Sequence, residues 1–238
     1  MSRHTLLLRC EAPLQSWGSR SRFGERDTER EPTKSGVIGL LAAAMGIDRA
    51  EPLGGLVGLR VGVRADREGT ILHDFHTALE VRKADPKAGP ETQTSDRHYL
   101  SDAVFLVGIE GEDLEFLRKL DVALQRPTWP LFLGRKACVP ARPVRLRDGL
   151  RADEELEQAL RSYPLLRPVD DLPQKRIDGD ERTERLRLVL ECRTGEEGEP
   201  RNDVPLSFSA RRFATRYVRT TYVLRPEKVV DEEVPPCS

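Results

Sequence analysis

Residues 36–45 read GVIGLLAAAM, a run without a single polar side chain. Helical spacing over such a run leaves no face to offer water, so the helix has to be sandwiched against a sheet. Its flanks agree with a helix over residues 35–45. Thr33 or Ser35 can cap the start, Pro32 biases Glu31 toward extended backbone, and Gly46 is placed to end it. The chain of 238 residues is long enough to build the sheet this helix demands.

The strands are legible around it. "HTLLLRCEA" reads as a buried strand ended by Pro13, "GLVGLRVGVRAD" alternates as a half-buried strand, and "DAVFLVGIEG" is again buried. "EDLEFLRKLDVALQR" has the period of an amphipathic helix. Residues 73–100 have strand-like ends and a polar middle with two prolines and a glycine, which suits a hairpin projecting from the body. Strand, helix, strand, flap, strand, helix is the order of a ferredoxin-like α+β sandwich, the architecture also used by RNA-recognition-motif domains. After the Pro- and Gly-punctuated residues 126–144 the character changes. A short helix over 153–161, strand-like runs over 185–193 and 216–226, and a turn-rich loop "TGEEGEPRND" predict a smaller, mostly β part. The predicted division is therefore residues 1–147 and 148–238.

Several function classes recede on composition. No run approaches the ~18 apolar residues of a membrane span, and the N-terminus reads as a strand, so a cytoplasmic protein without membrane contact is expected. The four cysteines are far apart, without a C-x-x-C pair, which predicts reduced thiols and no disulfide framework. His73 and His76 lack the carboxylates or cysteines that would complete a metal motif, so neither metal nor cofactor is expected. Formal net charge is −1, yet the charges are segregated. From Arg135 to Arg151 there are six basic residues against Asp148, and from Arg211 to Arg219 four arginines and no acid. Such separation can build a local positive surface on a neutral protein.

The stretch Lys34-Ser35-Gly36 raises the question of a phosphate. A Walker A loop is absent, because the glycine follows Lys-Ser and Gly24 lies too far upstream. A helix start with free N–H groups, a positive dipole end and Lys34 beside it can hold one phosphate of any polyanion. The alternative is an ordinary capped helix with Lys34 in water, and both readings stand at this point.

"LLLRCEAPLQSWG", "PTKSGVIGLLAAAMGI", "DFHTAL", "ETQTSDRHYLSDAVFLVGI", "PLFLGRKACVPARP" and "RRFATRYV" occur in the order seen in the CasD family. The chain resembles that family, a branch of the RAMP superfamily that supplies a subunit of type I-E CRISPR surveillance complexes (Cascade). The resemblance is weakest over residues 121–130 and 148–185. It implies a ferredoxin-like domain carrying a thumb-like hairpin, here at about residues 73–100, and a small C-terminal β region. It implies a non-catalytic, antiviral role. The family holds the 5′ handle of the CRISPR RNA, caps the filament of CasC backbone subunits and helps dock the large subunit CasA, so target DNA is met through the complex.

The residues that the resemblance points to suit single-stranded RNA, which is held by phosphates and splayed bases. Lys34, Ser35 and the Gly36 amide would take one phosphate, with Gly36 admitting the RNA backbone, and Arg26 would take a second. Arg135 and Lys136 follow a glycine turn in "LGRK". Arg97 and Tyr99, at the base of the thumb, would pair with a phosphate and stack on a base. His76 matches a family "YHT"-like stretch in which this chain has Phe75, removing a hydroxyl. Trp17 reads as packing, and the RNP aromatic signature is absent, so stacking on an open sheet is not expected. Two other classes remain. One is a metal-independent endoribonuclease that processes precursor CRISPR RNA with His76, His98, Tyr99 and Lys136, and the other is a protein-only scaffold.

Overall fold

All eight residues of the first strand, β1 (His4–Glu11), are buried, a pattern that requires strands on both sides and cover on both faces. The computed structural model supplies both; it describes residues 2–19, 24–82, 85, 89–166 and 185–230. After β1 come β2 (Leu14–Gln15), β3 (Glu25–Arg26), α1 (Lys34–Met45), a 3₁₀ turn (Gly54–Gly58) and β4 (Arg60–Arg67). The hairpin β5 (Thr70–Val81) and β6 (Glu91–Ser101) leads to β7 (Val104–Gly111), α2 (Leu114–Gln125) and β8 (Arg145–Arg151). Then follow α3 (Leu156–Ser162), β9 (Leu165–Leu166), β10 (Arg185–Glu191), β11 (Glu199–Ser207), β12 (Arg212–Leu224) and β13 (Val229–Val230).

Seven strands form one antiparallel sheet in the order β11-β12-β10-β4-β7-β1-β8. The fold is α+β. Four adjacent strands that end at one edge of the sheet, β4-β7-β1-β8, are linked as β1-α1-β4-β7-α2-β8. One face, with Leu6, Leu8, Val63, Phe105 and Val107, packs in a single core with α1 and α2. The other, with Leu7, Leu106, Leu188 and Leu190, packs against α3.

The helix α1 begins and ends as its flanks dictate. The Thr33 hydroxyl accepts the Gly36 amide, and Gly46, at φ 75°, closes the helix in the left-handed conformation. α3 needs more help, since two turns are too short to be stable alone. Gly62 and Gly108 face each other across β4 and β7. A Cβ at Gly62 would lie 2.8 Å from Leu160 Cδ1, and one at Gly108 2.7 Å from Leu156 Cδ1. The facing glycines make a flat seat for α3. Its ends are clamped by opposite charges. Glu110 Oε2 accepts the Leu156 amide at 2.8 Å. The fully buried Arg64 donates to the carbonyls of Leu160 and Tyr163, both at 2.6 Å, while Asp66 balances its charge.

Four expectations are corrected. Residues 54–58 form a 3₁₀ turn, so the strand starts at Arg60, not in the preceding glycine-rich segment. The short helix runs from Leu156 to Ser162. The loop expected over 194–203 ends in β11, where Pro200 and Pro205 are tolerated because this is an edge strand. The division at 147/148 cuts β8, and β10 pairs with β4, so the C-terminal strands extend the main sheet. β8 itself escaped the sequence reading because its three arginines and a bulge against β1 blur the alternation. Burial pushes the Cys10 thiol up to about 12 and raises Cys138 as well, leaving both inert. Cys237 lies outside the described residues. Among the described residues no helix is long and apolar enough to cross a membrane.

Gly108→Val is expected to lower stability by about 1–3 kcal/mol by overpacking the α3 seat. Urea unfolding would read this as a lower midpoint, and an unchanged midpoint would show that α3 is not held against the sheet there.

Candidate nucleic-acid interface

Helices cover both faces of β1, β4 and β7, and the cations singled out from sequence that stay outside this core lie at the base of the hairpin. β5 and β6 pair in register, with Leu72 opposite Tyr99, Asp74 opposite Arg97 and His76 opposite Ser95. Strand alternation puts these six on one face of the ribbon. Arg97 Nε donates to Ser95 Oγ at 3.1 Å on that face. β3 joins β6 in parallel, bringing Arg26 beside Arg97.

The LGRK turn locks onto the same place. Gly134, at φ 96°, leaves no room for a side chain, because a Cβ would stand 1.6 Å from the Ser16 carbonyl oxygen. The turn sends the Arg135 guanidinium over the Tyr99 ring, 4.6 Å from its centroid. Arg135 also donates to the carbonyls of His98 at 3.1 Å, Arg26 at 2.7 Å and Asp27 at 3.2 Å. Three chain segments thus meet around one guanidinium. Arg26 and Lys136 are exposed, and Arg97, Arg135 and His76 are half-buried. The structure therefore brings together Arg26, Arg97, Tyr99, Arg135 and Lys136, with His76 farther along the hairpin face.

Tyr99 is corrected. It is 6% exposed and carries Arg135 on its ring, so it braces the hairpin base and presents no ring to a base. The opposite ribbon face holds His98, stacked on His73 with centroids 4.9 Å apart, and His73 Nε2 lies 2.8 Å from Asp96 Oδ1. His76 and His98 consequently sit on different faces. The pieces considered for an endoribonuclease do not converge. Among the described residues no group of three or more His, Cys, Asp or Glu side chains is arranged to hold a metal.

Lys34, Ser35 and Gly36 stand apart, and their expected role is corrected. Lys34 is 3% exposed, and its Nζ donates to Glu191 Oε1 at 2.8 Å. The anion at the start of α1 is the chain's own Asp203, whose Oδ2 accepts the Lys34 amide at 2.8 Å. Arg216 closes the ring, bonding Asp203 through Nε at 2.6 Å and Glu191 through Nη1 at 3.2 Å. Glu191 Oε2 also accepts the Val61 amide at 3.0 Å. Burial lowers the Lys34 pKa, with Glu191 opposing. Burial also works against the Arg216 charge, but Asp203 and Glu191 together more than offset it and raise its pKa. Gly36 admits protein, since a Cβ there would be 2.7 Å from the ring of Trp17. Trp17 is packing as read from sequence, 1% exposed with its Nε1 donating to Gln15. Ser35 is half-buried, with its hydroxyl 3.4 Å from that of Thr33.

Sequence reasoning missed Glu191 and Asp203. The usable signal was a carboxylate closing the apolar run LVLE, a position that calls for a buried cation.

Residues 5–219 match the model of a family described as CRISPR-associated protein (Cas_Cas5). Over 177 residues the chain is 33% identical to the CRISPR system Cascade subunit CasD of Escherichia coli strain K12, covering 68% of this chain and 77% of that protein. A crystal structure of a Cas protein superposes with a TM-score of 0.72 at 45% identity, over 94% of this chain and 98% of its own. A chain of a CRISPR RNA-guided surveillance complex gives 0.73 at 35% identity, over 94% and 92%.

Lys34→Ala is expected to destabilise the fold by about 1.5–3 kcal/mol, the worth of a charged hydrogen bond. A thermal melt checks this. A variant that melts like the parent yet loses affinity for RNA would return Lys34 to the interface.

Proposed function

Because the chain belongs to the Cas5 family of CRISPR-associated proteins, we propose that it is a non-catalytic subunit of a type I-E surveillance complex and that it holds the 5′ handle of the CRISPR RNA. The observation that carries this reading is the gathering of Arg26, Arg97, Arg135 and Lys136 where β3, β6 and the LGRK turn meet. Cations anchored on backbone carbonyls are pre-set for phosphates, and a single strand laid on them needs no open sheet. The β1-α1-β4-β7-α2-β8 order supports a ferredoxin-like core, and β5–β6 serves as its thumb.

His76 lies farther along the same face of the thumb, beyond Asp74. On the other face Phe75 and Leu79 are 63% and 73% exposed, which suits a protein neighbour better than water. We assign that face to assembly with the CasC filament. Docking of CasA, and contact with target DNA through the complex, rest on the family likeness. The thumb tip, expected to matter for assembly, lies in part outside the described residues. The separation of His76 from His98 on two faces favours binding without cleavage.

Purified chain and labelled guide-precursor RNA, run without metal on native and denaturing gels, should give shifted but intact RNA. Arg97→Ala and Lys136→Ala should each weaken binding roughly three- to tenfold and flatten its salt dependence by about one phosphate contact. Discrete cleavage would overturn the non-catalytic assignment. Unchanged affinity in both variants would overturn the placement of the RNA.

A further inference from the structure

Residues 24–33 connect the proposed RNA face to the far end of the main sheet. At one end β3 lies on β6, and the Asp96 amide donates to the Gly24 carbonyl at 2.8 Å. In the middle Arg135 holds the carbonyls of Arg26 and Asp27, while Trp17 donates its amide to the Thr28 hydroxyl and accepts the Glu29 amide. At the other end two carboxylates meet two arginines from the C-terminal strands. Arg201 of β11 reaches Glu29 at 3.3 Å and Glu31 at 3.4 Å. Arg187 of β10 reaches Glu31 at 2.8 Å and donates to the Arg30 carbonyl at 3.2 Å, and Glu68 fixes its other side at 2.7 Å.

Between this segment and the sheet lies a cleft of about 720 Å³, lined by Asp27, Glu29, Glu31, Arg201, Asp203 and Arg216 among others. A segment laid over a cleft gains little from apolar burial. Hydrogen bonds hold its first half, and the ion pairs anchor its far end.

We propose that Glu29 and Glu31, gripped by Arg201 and Arg187, act as positioning residues that hold residues 24–33 as a strap and so pre-set Arg26 for RNA. The inference rests on the proposed RNA-binding role and adds the device that tunes it. It has a consequence opposite to simple electrostatics. Neutralising a carboxylate near a polyanion site ordinarily tightens binding. Here it releases the strap, and RNA must then bear the cost of ordering it.

The test uses the full chain, a labelled single-stranded RNA carrying the 5′ handle, and fluorescence anisotropy at several salt concentrations, with melting curves as a check on folding. Glu29→Gln, at a half-buried position, is expected to weaken binding about three- to tenfold while the salt dependence holds. Arg201→Gln should do the same, Arg201→Lys should recover most of the loss, and the Glu29→Gln/Arg201→Gln double variant should be no worse than the weaker-binding single. Hydrogen exchange of the amides over residues 24–31 should quicken in each weakened variant. Equal or tighter binding by Glu29→Gln overturns the proposal, and so does a loss in Arg201→Gln that adds to it and flattens the salt dependence, the mark of a direct phosphate contact. Failure of the unaltered chain to bind the RNA at low salt would instead overturn the RNA-binding reading, and the strap with it.

Discussion

A ring of four charges, Lys34, Glu191, Arg216 and Asp203, lies in the interior where α1 begins and where β4, β10, β11 and β12 run past it. Each charge would be costly to bury alone, and each is admitted because its neighbours complete its hydrogen bonds. The ring makes α1 and the C-terminal strands mutually dependent. The helix start needs an anion, β11 supplies Asp203, and Arg216 holds Asp203 in place. The apolar body of α1 could rest on any hydrophobic sheet, but its N-terminus fits this one.

That dependence explains why the C-terminal strands do not form a unit of their own. β10 adds to the edge of β4, so the sheet grows past the four strands β4-β7-β1-β8, and α3 then covers the face that those strands would otherwise expose. With Gly62 and Gly108 under α3, the sheet is closed to ligands on that side. The proposed RNA contact accordingly lies at the periphery, on a ribbon and the loops stitched to its base. Near-neutral net charge is consistent with this economy, because many of the 39 cations and 40 acids face each other in ion pairs.

The sequence made the core legible and the charges only partly so. Apolar period and cap chemistry are local properties, so β1, α1, β7 and α2 could be read within a few residues of their ends. The Gly-Arg-Lys turn was legible too, since a glycine before two cations has few structural uses. What defeated the reading was the partner of each charge. Lys34 looked like a phosphate ligand because the sequence near it contains no carboxylate facing it. The carboxylates that hold it are more than 150 positions away, and only the sheet register brings them round. Tyr99 failed for a related reason. A tyrosine in a polar ribbon reads as a stacking platform until Arg135, 36 positions later, is found lying on its ring.

The same chemical group thus serves inside and outside, and exposure together with partner type separates the two uses. Arg216 faces carboxylates, is nearly enclosed, and stabilises the fold. Arg135 faces carbonyl oxygens, which orient a guanidinium without cancelling its charge, so it can brace the hairpin and still attract an anion. Arg201 stands between them, half-exposed against carboxylates of a loop whose own Arg26 looks outward. A cation held by carbonyls keeps its field for a partner, whereas one held by carboxylates has given that field to the protein. By that criterion the helix start at Lys34 belongs to the interior, and the Arg135 neighbourhood is where the proposed RNA contact finds its cations.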